Sequence, residues 1–302
     1  MPLLATAHAL TWLQAAVIGL LQGVTELFPV SSLGHSVLLP AIFGWHNVVN
    51  SESAKESFYL AFLVGLHVAT ALALLVFFWR DWVRILRGGL ASVLKRRVET
   101  ADERLFWLLV LVTIPVGVIA LALESKLRTE FAKPTAAAVF LFINGLVLLT
   151  GEQLRRRDQR RSAAGPGAAA PKQLATLGYG EGVIIGCFQS FALLAGISRS
   201  GITMVGGLAR GLSHEDAARF SFLAATPVIL AAGVLKANAL VGSDAAGVRG
   251  QILLGSLLAA AGAYVSVRFL VKYFETRTLT PFAIYCLVAG GVLAVGFGTG
   301  VF

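Results

Sequence analysis

Apolar runs about twenty residues long recur along the chain, set apart by short charged clusters; "FYLAFLVGLHVATALALLVFFW" (58–79) and "ILLGSLLAAAGAYVSV" (252–267) are examples. A hydrocarbon core about 30 Å thick is crossed by about 20 apolar helical residues. Six such spans are expected, at about 57–79, 105–123, 135–150, 218–236, 250–271 and 280–301. Two further apolar regions, about 10–40 and 176–212, break the template because Pro, Gly and Ser interrupt them.

Charge orients these segments. Arg80, Arg84, Arg87, Lys95, Arg96, Arg97 and Arg104 lie in one inter-span stretch, and Arg155, Arg156, Arg157, Arg160, Arg161 and Lys172 in another. Loops rich in Lys and Arg stay cytoplasmic, so both stretches are read as inner loops. The poorer stretches 124–134 and 237–249 then face outward, and "KYFETRT" (272–278) returns to the cytoplasm. Residues 172 and 218 must therefore both be inside, which a single span over 176–212 forbids. Each interrupted region is expected to be a re-entrant pair of short helices, the first entering from outside and the second from the cytoplasm.

A shift of 167 residues aligns "GLLQGVTELFPVSSLG" (19–34) with "GCFQSFALLAGISRSG" (186–201), matching Gly19 with Gly186, Gln22 with Gln189, Leu27 with Leu194, Ser31 with Ser198 and Gly34 with Gly201. Similar hairpins entering from opposite sides make an inverted-topology repeat, an arrangement of transporters whose broken helices meet near the midplane. The expected fold is an all-α polytopic membrane protein of six transmembrane helices plus two re-entrant helical hairpins in one membrane domain, 1–302. Its first half, 1–154, holds the hairpin at about 10–40. A cytoplasmic linker, 155–175, includes the low-complexity "SAAGPGAAAP" (162–171), and the second half, 176–302, holds the hairpin at about 176–212.

Composition agrees: 57% of the 302 residues are hydrophobic and 14% charged, against about 25% charged in soluble domains. The net charge of +9 is what basic inner loops produce, so no nucleic-acid partner is inferred from it. Cys187 and Cys286 sit in apolar stretches and offer no disulfide framework or metal thiolate. No Lys or Arg precedes the first apolar run, so the N-terminus is not read as a cleavable leader.

Irregular backbone at membrane depth is tolerated only when buried in protein or lining a wet cavity, so the two tips are expected to face one cavity. The first carries Gln22, Glu26, Ser31, Ser32 and His35, the second Ser198, Arg199, Ser200 and Thr203. Ionisable groups are costly there and are read as functional. Arg199 offers a fork of donors suited to phosphate oxygens, and Ser198, Ser200 and Gly201 open a helix whose N–H groups favour an anion. The other reading of Arg199 is a salt bridge to Glu26 that holds the hairpins together. Gln22 and Glu26, four apart on one helix face, can share a divalent cation that also touches phosphate. His35 and Ser32 compete as nucleophile, with His35 also a candidate acid or base. Against these stand a backbone-bonded His35 and capping roles for Ser31 and Ser32. His67 reads as a bond between helices, Glu181 as a helix-start charge, and "HEDAAR" (214–219) as an inner loop with a helix start after Ser213.

"QGVTELFPVSSLGH" and "AGISRSGITMVGG" resemble the two signatures of bacterial undecaprenyl-diphosphate phosphatases, the bacitracin-resistance proteins; "FSFLAATPVILAAG" and "TPFAIYC" also resemble family stretches, so the likeness covers nearly the whole chain. The resemblance implies hydrolysis of the C55 polyprenyl diphosphate to the monophosphate carrier lipid and phosphate, recycling the carrier for cell-wall synthesis. It implies dependence on Mg²⁺ or Ca²⁺, membrane lipids as partners and a site in the cytoplasmic membrane opening outward. The family's important positions fall on Glu26, Ser32, His35, Ser198, Arg199 and Thr203, with Gln22 at a variable Glu/Gln position. Ala195 stands where the second signature usually has Pro. A homodimer stays open, and a transporter or flippase of a prenyl phosphate lipid is the rival that the inverted repeat supports.

Overall fold

A computed structural model describes residues 10–52, 58–130, 133–163, 172–242, 245 and 247–302. Among these residues six helices are long and apolar enough to cross a membrane. They are α4 (Phe58–Phe77), α6 (Ala101–Glu130), α7 (Pro134–Ala163), α10 (His214–Leu235), α12 (Arg249–Phe274) and α13 (Thr280–Thr299). All six overlap the expected spans, so the chain is a multi-pass membrane protein.

Between them lie two broken pairs, α1 (Trp12–Thr25) with α2 (Ser32–Ile42) and α8 (Tyr179–Gln189) with α9 (Arg199–Ala209). The longest, α1, has 14 residues, about 21 Å at 1.5 Å per residue, well short of a crossing. Local chemistry dictates the breaks. Pro29 lacks an N–H and disfavours helical geometry at Phe28, so α1 stops, and Ser31 restarts the chain by accepting the Gly34 N–H at 3.1 Å. In the second pair a short 3-10 turn, Ser190–Leu193, ends α8. Gly196 then turns the backbone at φ 110°, and Ser198 caps α9 by accepting the Gly201 N–H at 3.1 Å.

Two expectations change. The basic stretch after α4 is not a loop but a helix, α5 (Trp79–Lys95), joined to α4 through Phe78 alone. Helix α7 runs to Ala163, into the expected linker, because Glu, Gln, Leu and Arg are strong helix formers and Arg156 donates to Glu152 at 3.1 Å. Residues 164–171 of the low-complexity segment lie outside the described residues. Two short helices, α3 (His46–Glu52) and α11 (Ala237–Val241), also lie among the described residues.

Small residues let the broken pairs press against the spans. A Cβ on Gly19 would stand 2.5 Å from the Gly255 carbonyl of α12, and one on Gly186 would stand 2.7 Å from the Val112 carbonyl of α6. Thus α1 packs on α12 and α8 on α6, while α4 packs on α10 and α7 on α13. The expected start after Ser213 is present, with the Asp216 N–H donating to Ser213 Oγ at 3.0 Å. Glu181 accepts from the Gly178 N–H at 2.7 Å and from Lys172 at 2.5 Å.

Candidate active site

The two breaks meet. Ser31 Oγ, already capping α2, also accepts the Gly196 N–H of the second break at 3.1 Å. Phe28 of the first break accepts through its carbonyl from Ser200 Oγ at 3.1 Å and Ser198 Oγ at 3.4 Å. Asn144, fully buried on α7, joins both: its Nδ2 donates to the Pro29 carbonyl and its Oδ1 accepts the Ser198 N–H, each at 3.0 Å. A Cβ on Gly34 would lie 2.8 Å from Gly196 Cα, so this close approach needs glycine at 34, while a Cβ on Gly196 would lie 2.4 Å from the Ala137 carbonyl of α7. Ser31 holds φ 71°, a region costing a non-glycine residue about 1–3 kcal/mol. Its carbonyl also accepts the His35 N–H at 3.2 Å and His35 Nδ1 at 2.7 Å, bonds that hold the strained turn.

Glu26 is the centre of the polar cluster. Its Oε1 accepts from Arg199 Nη2 at 2.9 Å, and its Oε2 accepts from Gln22 Nε2 at 2.9 Å and Ser32 Oγ at 2.5 Å. His67 Nε2 lies 3.5 Å from Oε2, while its Nδ1 donates to the Leu63 carbonyl at 2.8 Å. In and beside this cluster three buried atoms, Arg199 Nη1, Gln22 Oε1 and Gln189 Oε1, have no hydrogen-bond partner among the described residues. An unsatisfied buried donor or acceptor costs about 1–3 kcal/mol, a cost that a bound ligand with complementary groups would remove.

These groups border a cavity of about 310 Å³. Glu26, Ser31, Ser32, His67, Gln189, Ser198 and Arg199 supply its polar floor. Leu60, Leu63 and Val64 of α4 face Val228, Ile229 and Ala232 of α10 across its apolar walls, and Lys236, just beyond α10, also lines it. One end therefore offers donors and a carboxylate, and the rest offers hydrocarbon.

Of the residues expected at the site, Glu26, Ser31, Ser32, Ser198 and Arg199 line this cavity, and Gln22 bonds to Glu26 behind it. Ser200 and Thr203 do not line it; Ser200 Oγ donates across to the Phe28 carbonyl of the first break, and Thr203 Oγ1 donates to the Arg199 carbonyl at 2.7 Å, bracing the α9 turn. His35 also lies off the cavity, with Nδ1 on the Ser31 carbonyl and Nε2 accepting from the Tyr285 hydroxyl at 2.7 Å. His67, read from sequence as a bond between helices, does reach from α4 to Glu26 at the end of α1; it also bonds within its own helix and lines the cavity. Asn144 and Tyr285 were not anticipated. The signal for Asn144 was its isolation in "FLFINGLVLLT"; nothing in the pattern marked Tyr285.

The bacitracin resistance protein BacA family profile matches residues 15–292. A Frankia alni protein named undecaprenyl-diphosphatase 2 is 54% identical, over 96% of this chain and 99% of its own length. Proteins named undecaprenyl-diphosphatase from Mycolicibacterium paratuberculosis and Mycobacterium avium are 59% and 58% identical, over 96% and 95% of this chain.

Proposed function

The chain belongs to the bacitracin resistance protein BacA family, and from that premise we propose that it hydrolyses undecaprenyl diphosphate to undecaprenyl phosphate and inorganic phosphate, conferring bacitracin resistance. The observation that carries this reading is a buried guanidinium donor without a partner, Arg199 Nη1, beside a hydroxyl already paired with a carboxylate. A diphosphate headgroup supplies the missing acceptors, and the walls of α4 and α10 suit the prenyl chain.

In the proposed reaction Arg199 and Ser198 hold the terminal phosphate, and the N-terminus of α9 adds its dipole. Ser32 Oγ attacks the terminal phosphorus while Glu26 Oε2 takes the hydroxyl proton. The bond from phosphorus to the bridging oxygen breaks, and undecaprenyl phosphate leaves with its new oxygen charge. Water then attacks the phosphoserine, Ser32 recovers a proton through Glu26, and inorganic phosphate departs. Arg199 stabilises the charge spread over the equatorial oxygens in both steps. Position favours Ser32 over His35, because only Ser32 lines the cavity. Ser200, Thr203 and His35 serve by holding the two tips in shape.

A divalent cation, Mg²⁺ or Ca²⁺, fits the oxygens of Glu26 and Gln22, since Gln22 Oε1 is buried without a partner. Among the described residues no group of three or more His, Cys, Asp or Glu gathers, and Mg²⁺ sites commonly use one or two carboxylates plus substrate oxygens. Such an ion would supply Lewis-acid neutralisation of the phosphate charge.

We further propose that the broken pairs are re-entrant hairpins forming an inverted repeat. Ser31 and Ser198, aligned by the 167-residue shift, both cap second helices, and Gly19 and Gly186 both mark close approaches to a span. With the basic segments at the cytoplasmic face of the inner membrane, Leu60 and Lys236 lie at outward ends of their helices, so the cavity opens outward. The test is phosphate release from undecaprenyl diphosphate by purified protein in detergent with Mg²⁺. Stoichiometric phosphate and undecaprenyl phosphate are expected. No release, with lipid moved intact across vesicles, would replace this reading by a flippase.

A further inference from the structure

Helix α5 divides its surface into three arcs. Ile85, Gly89 and Ser92 are buried against the protein. There a Cβ on Gly89 would meet the Phe106 ring at 2.5 Å, and Trp107 Nε1 donates to Ser92 Oγ at 3.0 Å. A second arc is apolar yet open: Trp79, Val83, Leu86, Leu90, Val93 and Leu94 are 36–75% exposed. At 100° per residue these six fall within one stripe about 100° wide. The third arc, beside that stripe, carries Arg80, Arg84, Arg87 and Lys95.

An exposed stripe of large apolar side chains beside a basic one has the pattern of a helix lying in a membrane interface. Two observations commit it to lipid. Leu72 and Val76 in the last turns of the adjoining α4 are likewise large, apolar and exposed, and a spanning helix must present such side chains to acyl chains. Phe78 alone separates α5 from the end of that span, so α5 begins at the membrane surface. The basic arc then sits at headgroup level, where Lys and Arg are drawn to anionic lipid.

We propose that α5 is an interfacial helix whose apolar stripe is covered by acyl chains and whose basic arc binds the headgroups of anionic phospholipids. Its Arg84 is shared with Asp81, which also accepts from Arg219 of α10 at 2.6 Å. Anionic lipid at this arc thus bears on a span that lines the cavity.

The test places nitroxide labels, singly, through Leu90→Cys and Arg87→Cys in a Cys187→Ser background of the full chain. The protein is reconstituted in phosphatidylcholine vesicles with or without phosphatidylglycerol. The label at 90 should be relaxed by oxygen rather than by an aqueous nickel chelate, and the label at 87 should show the reverse. Phosphatidylglycerol should slow both labels, and Arg80→Gln/Lys95→Gln should abolish that slowing. Equal access of the nickel chelate to both labels would overturn the interfacial placement. Dipolar broadening between labels at 90 would show that a second copy, not lipid, covers the stripe. Indifference to phosphatidylglycerol would overturn the anionic preference.

Discussion

Glu26 and Arg199, 173 residues apart in sequence, meet at 2.9 Å where the two helix breaks touch. The contact uses one guanidinium nitrogen and leaves Nη1 buried without a partner. Arg199→Ala should therefore lower kcat/KM for undecaprenyl diphosphate by about 100- to 1,000-fold, the cost of losing one donor to a developing oxyanion. Arg199→Lys should recover only part of it, because an ammonium lacks the planar fork. Steady-state phosphate release measures both; normal turnover by Arg199→Ala would remove the residue from the site.

Ser32 and His35 separate cleanly. Ser32→Ala removes the proposed nucleophile and should reduce kcat by at least about a thousandfold. His35→Ala loses bonds to Ser31 and Tyr285 and should lower stability by about 1–3 kcal/mol while keeping turnover well above that of Ser32→Ala. Comparing melting temperature with kcat for the two variants decides; the opposite ranking of kcat values would make His35 the nucleophile.

Chelation of divalent cations should stop phosphate release, and adding Mg²⁺ or Ca²⁺ should restore it. Gln22→Glu adds a carboxylate at the proposed ion site and should lower the Mg²⁺ concentration giving half-maximal rate, whereas Gln22→Ala should raise it. Mg²⁺ titrations of the three proteins check this, and identical half-points would exclude Gln22 as a ligand.

Asn144 clasps both breaks. Asn144→Ala strips a partner from two buried backbone groups, at about 1–3 kcal/mol each, and should lower both the melting temperature and kcat. Asn144→Asp keeps an acceptor for the Ser198 N–H but turns a carboxylate oxygen toward the Pro29 carbonyl in a buried site, so it should lower the melting temperature at least as much as alanine.

Gly34→Ala drives a methyl into the Gly196 backbone at 2.8 Å and should destabilise the protein by about 1–3 kcal/mol. Gly117→Ala, where a Cβ meets nothing within 4 Å, should be neutral or slightly stabilising. Thermal unfolding of the pair in one detergent tests whether the glycine crossing, rather than helix propensity, sets the effect.

Much of this protein was legible in one dimension. Hydrocarbon thickness sets a length that apolar runs must meet, so six spans could be read directly. Pro29, Ser31, Gly196 and Ser198 marked the breaks because each acts on its own backbone. The list of polar residues near the tips followed from the cost of placing charge there. The basic stretch at 80–97 misled because its charges were easy to see, while the apolar stripe of α5 emerges only at a period of 3.6.

What tertiary structure decided was which polar groups share a space. Composition and local periodicity determined the spans, the broken segments and the candidate chemistry, since these depend on neighbours along the chain. They could not separate Ser32, turned into the cavity beside Glu26, from His35 three residues later, turned toward Tyr285. Nor could they show that His67 faces Glu26 or that Asn144 ties two breaks together. Successive helical residues point in directions 100° apart, so which side chains meet depends on how the helices pack.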